Sequence, residues 1–276
     1  MPPALELGAA RRILRDALGV EASLAPLAGE RDQNFRADAA DGGRWLLKIS
    51  NPADGASVVD MQTAALRHIE GVDPGLAVMR ALPTTGGEPW TEVSVPDGRI
   101  YPVRLFTFLP GHITAASALT APVIWSFGGD HGAPWACLAG VLPPLRRLRD
   151  PLGHQTRAKA PPLLAHLDDA PRRAQLERVL DRFEAHAAPA LPYLRAQVIH
   201  GDMSLDNVLF DRDARVSGIV DFGDMSHAPL VCDLAVAIAD VLHGRDDDIE
   251  AAEPMIGGYV SVTPVEDDEA EQPGTW

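Results

Sequence analysis

His200-Gly201-Asp202-Met203-Ser204-Leu205-Asp206-Asn207 is the stretch of this 276-residue chain that decides its fold. It has the form H-G-D-x-x-x-x-N and follows residues 197–200, whose pattern predicts a short strand. Asp221-Phe222-Gly223 comes later, after residues 208–220, in which two apolar runs flank a polar turn at 211–214. The pattern predicts a strand, a polar loop, a β-hairpin and a second polar loop, in that order.

The residue types in the two polar loops match the needs of phosphoryl transfer. One carboxylate, Asp202, has to face an attacking hydroxyl, while an amide oxygen and a second carboxylate hold Mg²⁺ between phosphate oxygens. The hairpin allows Asn207 and Asp221 to converge on one ion. Alternatively, Asp202 and Asn207 are turn residues and Asp221 begins a β-turn, but the ordered pair of motifs favours the catalytic interpretation.

A lysine in the first part of the chain is the next candidate. Only two of the 24 basic residues are lysines, and Lys48 lies in the apolar run 44–49, directly after the hairpin signal at 41–43. There it is either a ligand of nucleotide phosphates or an ordinary edge-strand lysine that opposes aggregation. Upstream, the segment 29–35 either folds over the phosphates or is a polar hairpin loop; Asn34 is its candidate nucleotide ligand.

Composition excludes several classes of partner. The formal charge of −15 argues against a general binder of nucleic acid or of anionic membranes. Two cysteines cannot build a disulfide framework, which favours a reducing, cytoplasmic location. Residues 1–20 lack the apolar core of a secretory signal, and no segment is long enough to span a bilayer.

The periodicity along the chain predicts two parts. A short amphipathic helix, several strands and one helix at about 55–69 indicate a small antiparallel sheet with an inserted helix. The later residues contain helical patterns at 175–187 and 230–242. We therefore predict a nucleotide-binding lobe at 1–106 and a catalytic and substrate lobe at 107–276.

The chain resembles the aminoglycoside phosphotransferase/choline kinase family, which has a two-lobed, protein-kinase-like α+β fold. It is most similar to the hydroxylysine-kinase-like branch in the segments 30–35, 45–49, 198–207 and 219–226. The resemblance implies a small antiparallel-sheet N-lobe with one helix and a mainly helical C-lobe that carries the catalytic loop and a β-hairpin.

The resemblance also implies residue roles. Asp202 would be the catalytic base, Asn207 and Asp221 the Mg²⁺ ligands, and Lys48 the contact to the phosphates of ATP or GTP. Phe106, Thr107 and Phe108 would form the hinge that offers backbone groups to the purine. Asp233 would brace the catalytic loop, or else be a carboxylate favoured by the dipole at a helix N-terminus.

Three departures from the family pattern accompany this resemblance. Family members pair the strand lysine with a helix glutamate; here the candidate is the shorter Asp60, since Glu70 lies at the far end of the helix. Residues 120–158 have little helical periodicity, so they are either a genuine irregular insertion or a segment read out of frame, which resequencing the gene would decide. The C-terminus is shorter than expected for the family.

The resulting prediction is a small-molecule kinase that transfers the γ-phosphoryl group of ATP or GTP, with Mg²⁺, to a hydroxyl. The acceptor would be an amino-containing metabolite such as hydroxylysine or an aminoglycoside. Because members of this branch also occur fused to a pyridoxal-phosphate aminotransferase, a functional link to such an enzyme is suggested. The alternative is a catalytically impaired, kinase-like binding module.

Overall fold

The computed structural model describes residues 3–96, 98–138, 162–243 and 249–264, and only the backbone of 130–138 and 249. Two compact units divide the chain, one comprising Met1–Gly111 with Ser217–Val220 and the other His112–Val216 with Asp221–Trp276. The first unit thus extends a few residues beyond the expected lobe boundary and takes in a strand of the later hairpin. None of the described helices is both long and apolar enough to cross a membrane.

A six-stranded antiparallel sheet forms the centre of the first unit. Its strands are β1 (Ser23–Leu27), β2 (Gln33–Asp38), β3 (Arg44–Ile49), β4 (Ala81–Leu82), β5 (Thr91–Ser94) and β6 (Ile100–Thr107). They are arranged in the order β1-β2-β3-β6-β4, and β5 also pairs with β6. The turn between β2 and β3 is the predicted hairpin, in which the Gly43 N–H donates to Asp41 Oδ1 over 3.0 Å.

Two helices accompany this sheet. Helix α1 (Leu7–Leu18) buries Ala10, Ile13, Leu14 and Leu18 in one cluster with alternate residues of β2, β3 and β6. Side chains alternate between the faces of a strand, so the face opposite that cluster carries Lys48 of β3. Helix α2 (Ala56–Val72) follows β3 as the predicted inserted helix.

Within its described residues, the second unit is mainly helical and contains one complete strand pair. Its helices are α3 (Ala121–Leu138), α4 (Ala170–Arg182), α5 (Val231–Leu242) and α6 (Glu253–Val262). A π-helical turn at Phe183–Ala187 and the short helix Ala188–Ala190 extend α4. The strands are β7 (Ala196–Ile199) with its antiparallel partner β10 (Ser226–Pro229), and β8 (Val208–Phe210), which forms the predicted hairpin with β9 (Val216–Ile219). The predicted α+β class, with a small antiparallel sheet that carries an inserted helix and a mainly helical second part, is confirmed.

Helix α3 corrects one expectation. Residues 121–138 are helical, so the prediction of an irregular segment is wrong for this part, whereas 139–158 lie outside the described residues. The physical reason is tertiary. Ile124 and Phe127, one helical turn apart, are buried, and Gly128 allows α3 to approach α6 closely. Packing therefore stabilises a helix that glycine propensity disfavours.

The close approach of α3 and α6 predicts opposite effects at two adjacent glycines. A Cβ on Gly128 would lie 2.2 Å from the carbonyl oxygen of Met255, whereas one on Gly129 would meet nothing closer than 3.6 Å. We expect Gly128→Ala to lower the free energy of unfolding by about 1–3 kcal/mol. Gly129→Ala, the matched control, gains helix propensity and should be neutral or stabilising by up to about 1 kcal/mol. Urea denaturation of both variants measures the difference, and equal effects would contradict the packing described.

Candidate active site

The strand pair β7–β10 brings the two polar loops of the second unit together. Ile199 precedes residues 200–207, called the catalytic loop below, and Ser226 follows the loop that contains Asp221-Phe222-Gly223, called the Asp-Phe-Gly loop. Ile199 and Ser226 lie opposite each other in the strand pair. The His200 and Phe222 rings are both buried and pack with centroids 4.7 Å apart. Two motifs that are separate in sequence thus become one structural element.

Gly201 shows how tightly these loops fit. Its φ is +87°, a left-handed conformation that glycine adopts without steric cost. A Cβ at this position would lie 2.1 Å from the carbonyl oxygen of Asp224. Residue 201 of the motif therefore has to be glycine, both for its backbone conformation and for the close approach of the second loop.

Asp202 and Asn207 are in direct contact. The Asn207 Nδ2 donates to the Asp202 carbonyl oxygen over 2.8 Å and to Asp202 Oδ2 over 2.9 Å. This contact fixes one carboxylate oxygen of Asp202 and orients the Asn207 amide, whose nitrogen points towards Asp202. The other amide atom of Asn207, the acceptor Oδ1, is therefore assigned to the side that faces away from Asp202.

Asp221 is the second metal ligand that the sequence predicts. It has φ +56° and ψ +65°, an uncommon conformation for a residue other than glycine, and such strained residues cluster at functional sites. The next residue, Phe222, is buried and anchors the loop. The Asn207 amide oxygen and the Asp221 carboxylate are hard oxygen donors, which fit Mg²⁺ that takes its other ligands from phosphates and water. Among the described residues, no group of three or more His, Cys, Asp or Glu side chains forms a metal cage.

Asp233 of α5 holds the beginning of the catalytic loop. Its two carboxylate oxygens accept the backbone N–H groups of His200 over 2.8 Å and Gly201 over 2.9 Å. The residue is fully buried, and burial raises its pKa to about 7, although the two N–H donors act in the opposite direction. Of the two interpretations left open by the sequence, the geometry matches the brace.

A second brace was missed in the sequence analysis. Asp240, also on α5, accepts the Leu205 N–H through Oδ2 over 2.7 Å. Asp233 and Asp240 lie two helical turns apart and thus share one face of α5. The spacing of two carboxylates in an otherwise apolar helix was a usable signal, because such residues need polar partners when the helix is packed.

Lys48 in the first unit is buried and ion-paired. Its Nζ lies 3.0 Å from Asp32 Oδ2, and the two side chains are 5% and 9% exposed. The candidate partner Asp60 is exposed on α2 and accepts a hydrogen bond from Trp90 Nε1 over 2.7 Å. The loop between β1 and β2 therefore supplies a carboxylate partner for Lys48, whereas the sequence analysis considered only the helix.

Asn34 lies directly opposite Lys48 in the pairing of β2 with β3. Its Nδ2 donates to the Ala28 carbonyl oxygen over 3.4 Å. Its buried Oδ1 has no hydrogen-bond partner among the described residues. A buried acceptor without a partner is costly, and this makes Asn34 a candidate contact for a ligand that carries a donor.

The three hinge candidates lie at the end of β6. Phe106 is fully buried and pairs with both β3 and β4. Thr107 donates its backbone N–H to the Arg80 carbonyl oxygen over 3.0 Å and accepts the Arg80 N–H through Oγ1 over 2.9 Å. Phe108 is the first residue beyond the strand. Phe106 and Thr107 are therefore engaged in pairing with neighbouring segments, whereas Phe108 lies beyond the end of the strand.

Comparison with known proteins identifies the family. Residues 23–269 match the model of the phosphotransferase enzyme family, APH. Hydroxylysine kinase from Danio rerio is 27% identical over 273 residues, which cover 94% of this chain and 76% of the relative. The match of residues 23–269 spans well over half of the chain and is sufficient to assign the family.

Solved structures show the same fold at low sequence identity. A microcompartment-associated aminopropanol kinase superposes with a TM-score of 0.67 at 17% identity, covering 98% of this chain and 85% of that one. Amicoumacin kinase hAmiN, in complex with AMP-PNP, Ca²⁺ and Ami, gives a TM-score of 0.66 at 14% identity, covering 87% and 71%. Together with the family match and the geometry of the two polar loops, these findings mean that the chain belongs to the phosphotransferase enzyme family and is a small-molecule kinase with a hydroxyl acceptor.

Proposed function

We propose that this kinase transfers the γ-phosphoryl group of ATP or GTP to the hydroxyl of an amino-containing metabolite, of which hydroxylysine is the leading candidate. The direct contact between Asp202 and Asn207 carries the proposal, because it places the candidate base beside a candidate metal ligand. The hydroxylysine kinase relatives support the acceptor class. The aminopropanol kinase, whose name also denotes an amino alcohol, points in the same direction.

The residues act mainly by positioning and by charge. Asp202 accepts the proton of the attacking hydroxyl, and the Asn207 amide keeps its carboxylate in place. Asn207 and Asp221 would hold Mg²⁺, which when bound neutralises charge on the transferring phosphoryl group. Lys48 binds the nucleotide phosphates, Asn34 is a further nucleotide contact, and the backbone around Phe106, Thr107 and Phe108 meets the purine.

The impaired-module alternative loses one of its supports. It rested partly on Asp60 as a poor partner for the strand lysine, but Lys48 has a carboxylate partner in Asp32. The two braces on α5 also hold the catalytic loop in place. We therefore favour an active kinase. The link to an aminotransferase stays a prediction.

A panel of acceptors tests the proposal. Purified protein is incubated with Mg²⁺ and either ATP or GTP, and with 5-hydroxylysine, aminopropanol, streptomycin or choline; ³¹P NMR identifies the phosphate ester formed. Lysine, which lacks only the hydroxyl of 5-hydroxylysine, is the matched control and should give no ester. We expect turnover with 5-hydroxylysine. Transfer to streptomycin or choline alone would contradict the acceptor, and nucleotide binding without any transfer would favour the impaired module.

A further inference from the structure

We propose that Asp32, in the loop between β1 and β2, is the residue that positions Lys48 for the nucleotide, a task that kinases usually give to a helix glutamate. The inference rests on the proposed role of Lys48 in binding phosphates. It concerns a residue of the loop between β1 and β2, so it links the position of the lysine to the conformation of that loop.

The Asp32 carboxylate is fixed at both oxygens. Oδ2 lies 3.0 Å from Lys48 Nζ, and Oδ1 accepts the backbone N–H of Asn51 over 2.8 Å. Asn51 follows closely on β3, the strand that carries Lys48. Buried pairs are screened less than exposed ones, and a carboxylate held by a backbone N–H cannot turn away freely. The ammonium of Lys48 is thus held in a defined position relative to its own strand.

Helix α2 does not present a carboxylate at the corresponding place in the described structure. Its buried side chains are Val59, Met61, Gln62, Thr63, Ala65, Leu66 and Ile69. Asp60 is exposed, and Glu70 forms an ion pair with Arg80 over 3.0 Å. The polar residues that α2 does bury, Gln62 and Thr63, are both neutral.

Gln62 accepts a hydrogen bond from a second buried cation, Arg104. Arg104 of β6 lies directly opposite Lys48 in the sheet and is 3% exposed. Its guanidinium donates to Gln62 Oε1 over 2.8 Å and to Ser50 Oγ over 2.9 Å. A side chain from α2 therefore binds Arg104, whereas Asp32, which is ion-paired with Lys48, belongs to the loop that precedes β2.

The loop itself is built to hold Asp32 in place. A Cβ on Gly29 would lie 2.6 Å from the Asp32 carbonyl oxygen, so the tight turn depends on glycine at this position. The neighbouring Arg31 forms an ion pair with Asp54, on the short turn that follows β3. Asp32 and Arg31 thus both tie the loop to the end of β3, from which Lys48 projects.

An acyl phosphate of ATP tests the position of Lys48 directly. The reagent transfers its acyl group to a lysine amine near the phosphates and releases ATP. The chain contains only two lysines, Lys48 and Lys159, so mass spectrometry of the labelled peptides measures one lysine against the other as an internal reference. Labelling rates, together with kcat and KM for the nucleotide, are compared for wild type and variants.

We expect Asp32→Asn to slow the labelling of Lys48 by about tenfold and to lower kcat by about 10²-fold, with a smaller change in KM. Asp32→Glu keeps the charge and should regain part of both losses. Asp38→Asn is the matched control, because Asp38 is an aspartate of the same sheet that pairs with Arg36 and Arg44 instead. In the Asp38→Asn variant, Lys48 should be labelled at the wild-type rate.

Several outcomes overturn the inference. Asp32 does not position Lys48 if Lys48 is labelled in Asp32→Asn at the wild-type rate. The same conclusion follows if Asp60→Asn slows the labelling of Lys48 more than Asp32→Asn does. If Asp32→Asn does not fold, the labelling rates of Lys48 in Asp32→Glu and Asp38→Glu are compared instead. Equal rates in these two variants would likewise overturn the inference. If wild-type Lys48 is not labelled, or if Mg²⁺ with AMP-PNP does not block its labelling, the proposed nucleotide site itself is wrong. That result is distinct from failure of the Asp32 inference alone.

Discussion

Asp202→Asn is expected to lower kcat by about 10²–10⁴-fold while nucleotide binding persists. An asparagine keeps the shape of the side chain but cannot accept the proton of the acceptor hydroxyl. The nucleotide-binding candidates Lys48 and Asn34 belong to the other unit and are unchanged by this substitution. Turnover is measured with the best acceptor of the panel, and binding is measured by calorimetry with AMP-PNP and Mg²⁺.

Asp206→Asn is the control for this experiment. Asp206 is an exposed carboxylate in the same loop, so its neutralisation changes the local charge by the same amount. It should leave kcat close to the wild-type value. Equal losses in the two variants would mean that loop charge matters and that Asp202 has no special role; an unchanged rate in Asp202→Asn would show that the base is assigned wrongly.

Gly201→Ala is expected to have the second largest effect, on stability and on activity together. The added Cβ would lie 2.1 Å from the Asp224 carbonyl oxygen, and the φ of +87° is strained for alanine. The catalytic loop and the Asp-Phe-Gly loop therefore have to separate. Strain and overlap together should lower the free energy of unfolding by about 2–5 kcal/mol, and displacement of Asp202 should lower kcat by about 10²-fold.

Gly87→Ala separates the cost of the backbone conformation from the cost of the overlap between the two loops. Gly87 has a φ of +88°, almost the same as Gly201, but a Cβ there would meet no atom within 4 Å. This variant should lose only about 1–2 kcal/mol, the cost of the backbone conformation, and should keep its kcat. Denaturant unfolding and the kinase assay compare the pair. If Gly87→Ala and Gly201→Ala are equally unstable, contact between the two loops is not the reason for glycine at 201.

The family and the fold class were predictable because their signals are local. The H-G-D-x-x-x-x-N and Asp-Phe-Gly motifs each lie within a few residues, and a short hairpin joins them. Their chemistry requires particular residue types at a fixed spacing, which few other sequences satisfy. The structure adds the contact between Asp202 and Asn207 and the packing of His200 on Phe222, both of which follow from that spacing.

Helix α3 shows where periodicity failed. Glycines at 128 and 129 lower helix propensity, and the sequence gives no indication that Gly128 meets another helix. The helix depends on α6, whose residue Met255 lies against Gly128 although it is far away in the chain. Contacts of this kind cannot be derived from a single segment.

The sequence by itself determined which residues can perform the chemistry: an aspartate, an asparagine and a second aspartate in one ordered pattern, and a lysine in an early strand. Only the tertiary structure decided which side chains hold them. Asp32, which directly precedes β2, reaches Lys48 on the neighbouring strand β3, and Asp240 reaches the N–H of Leu205, 35 residues away in sequence. Spacing can encode a motif that acts within one loop, whereas an ion pair or brace between distant segments exists only once packing has brought them within hydrogen-bond distance.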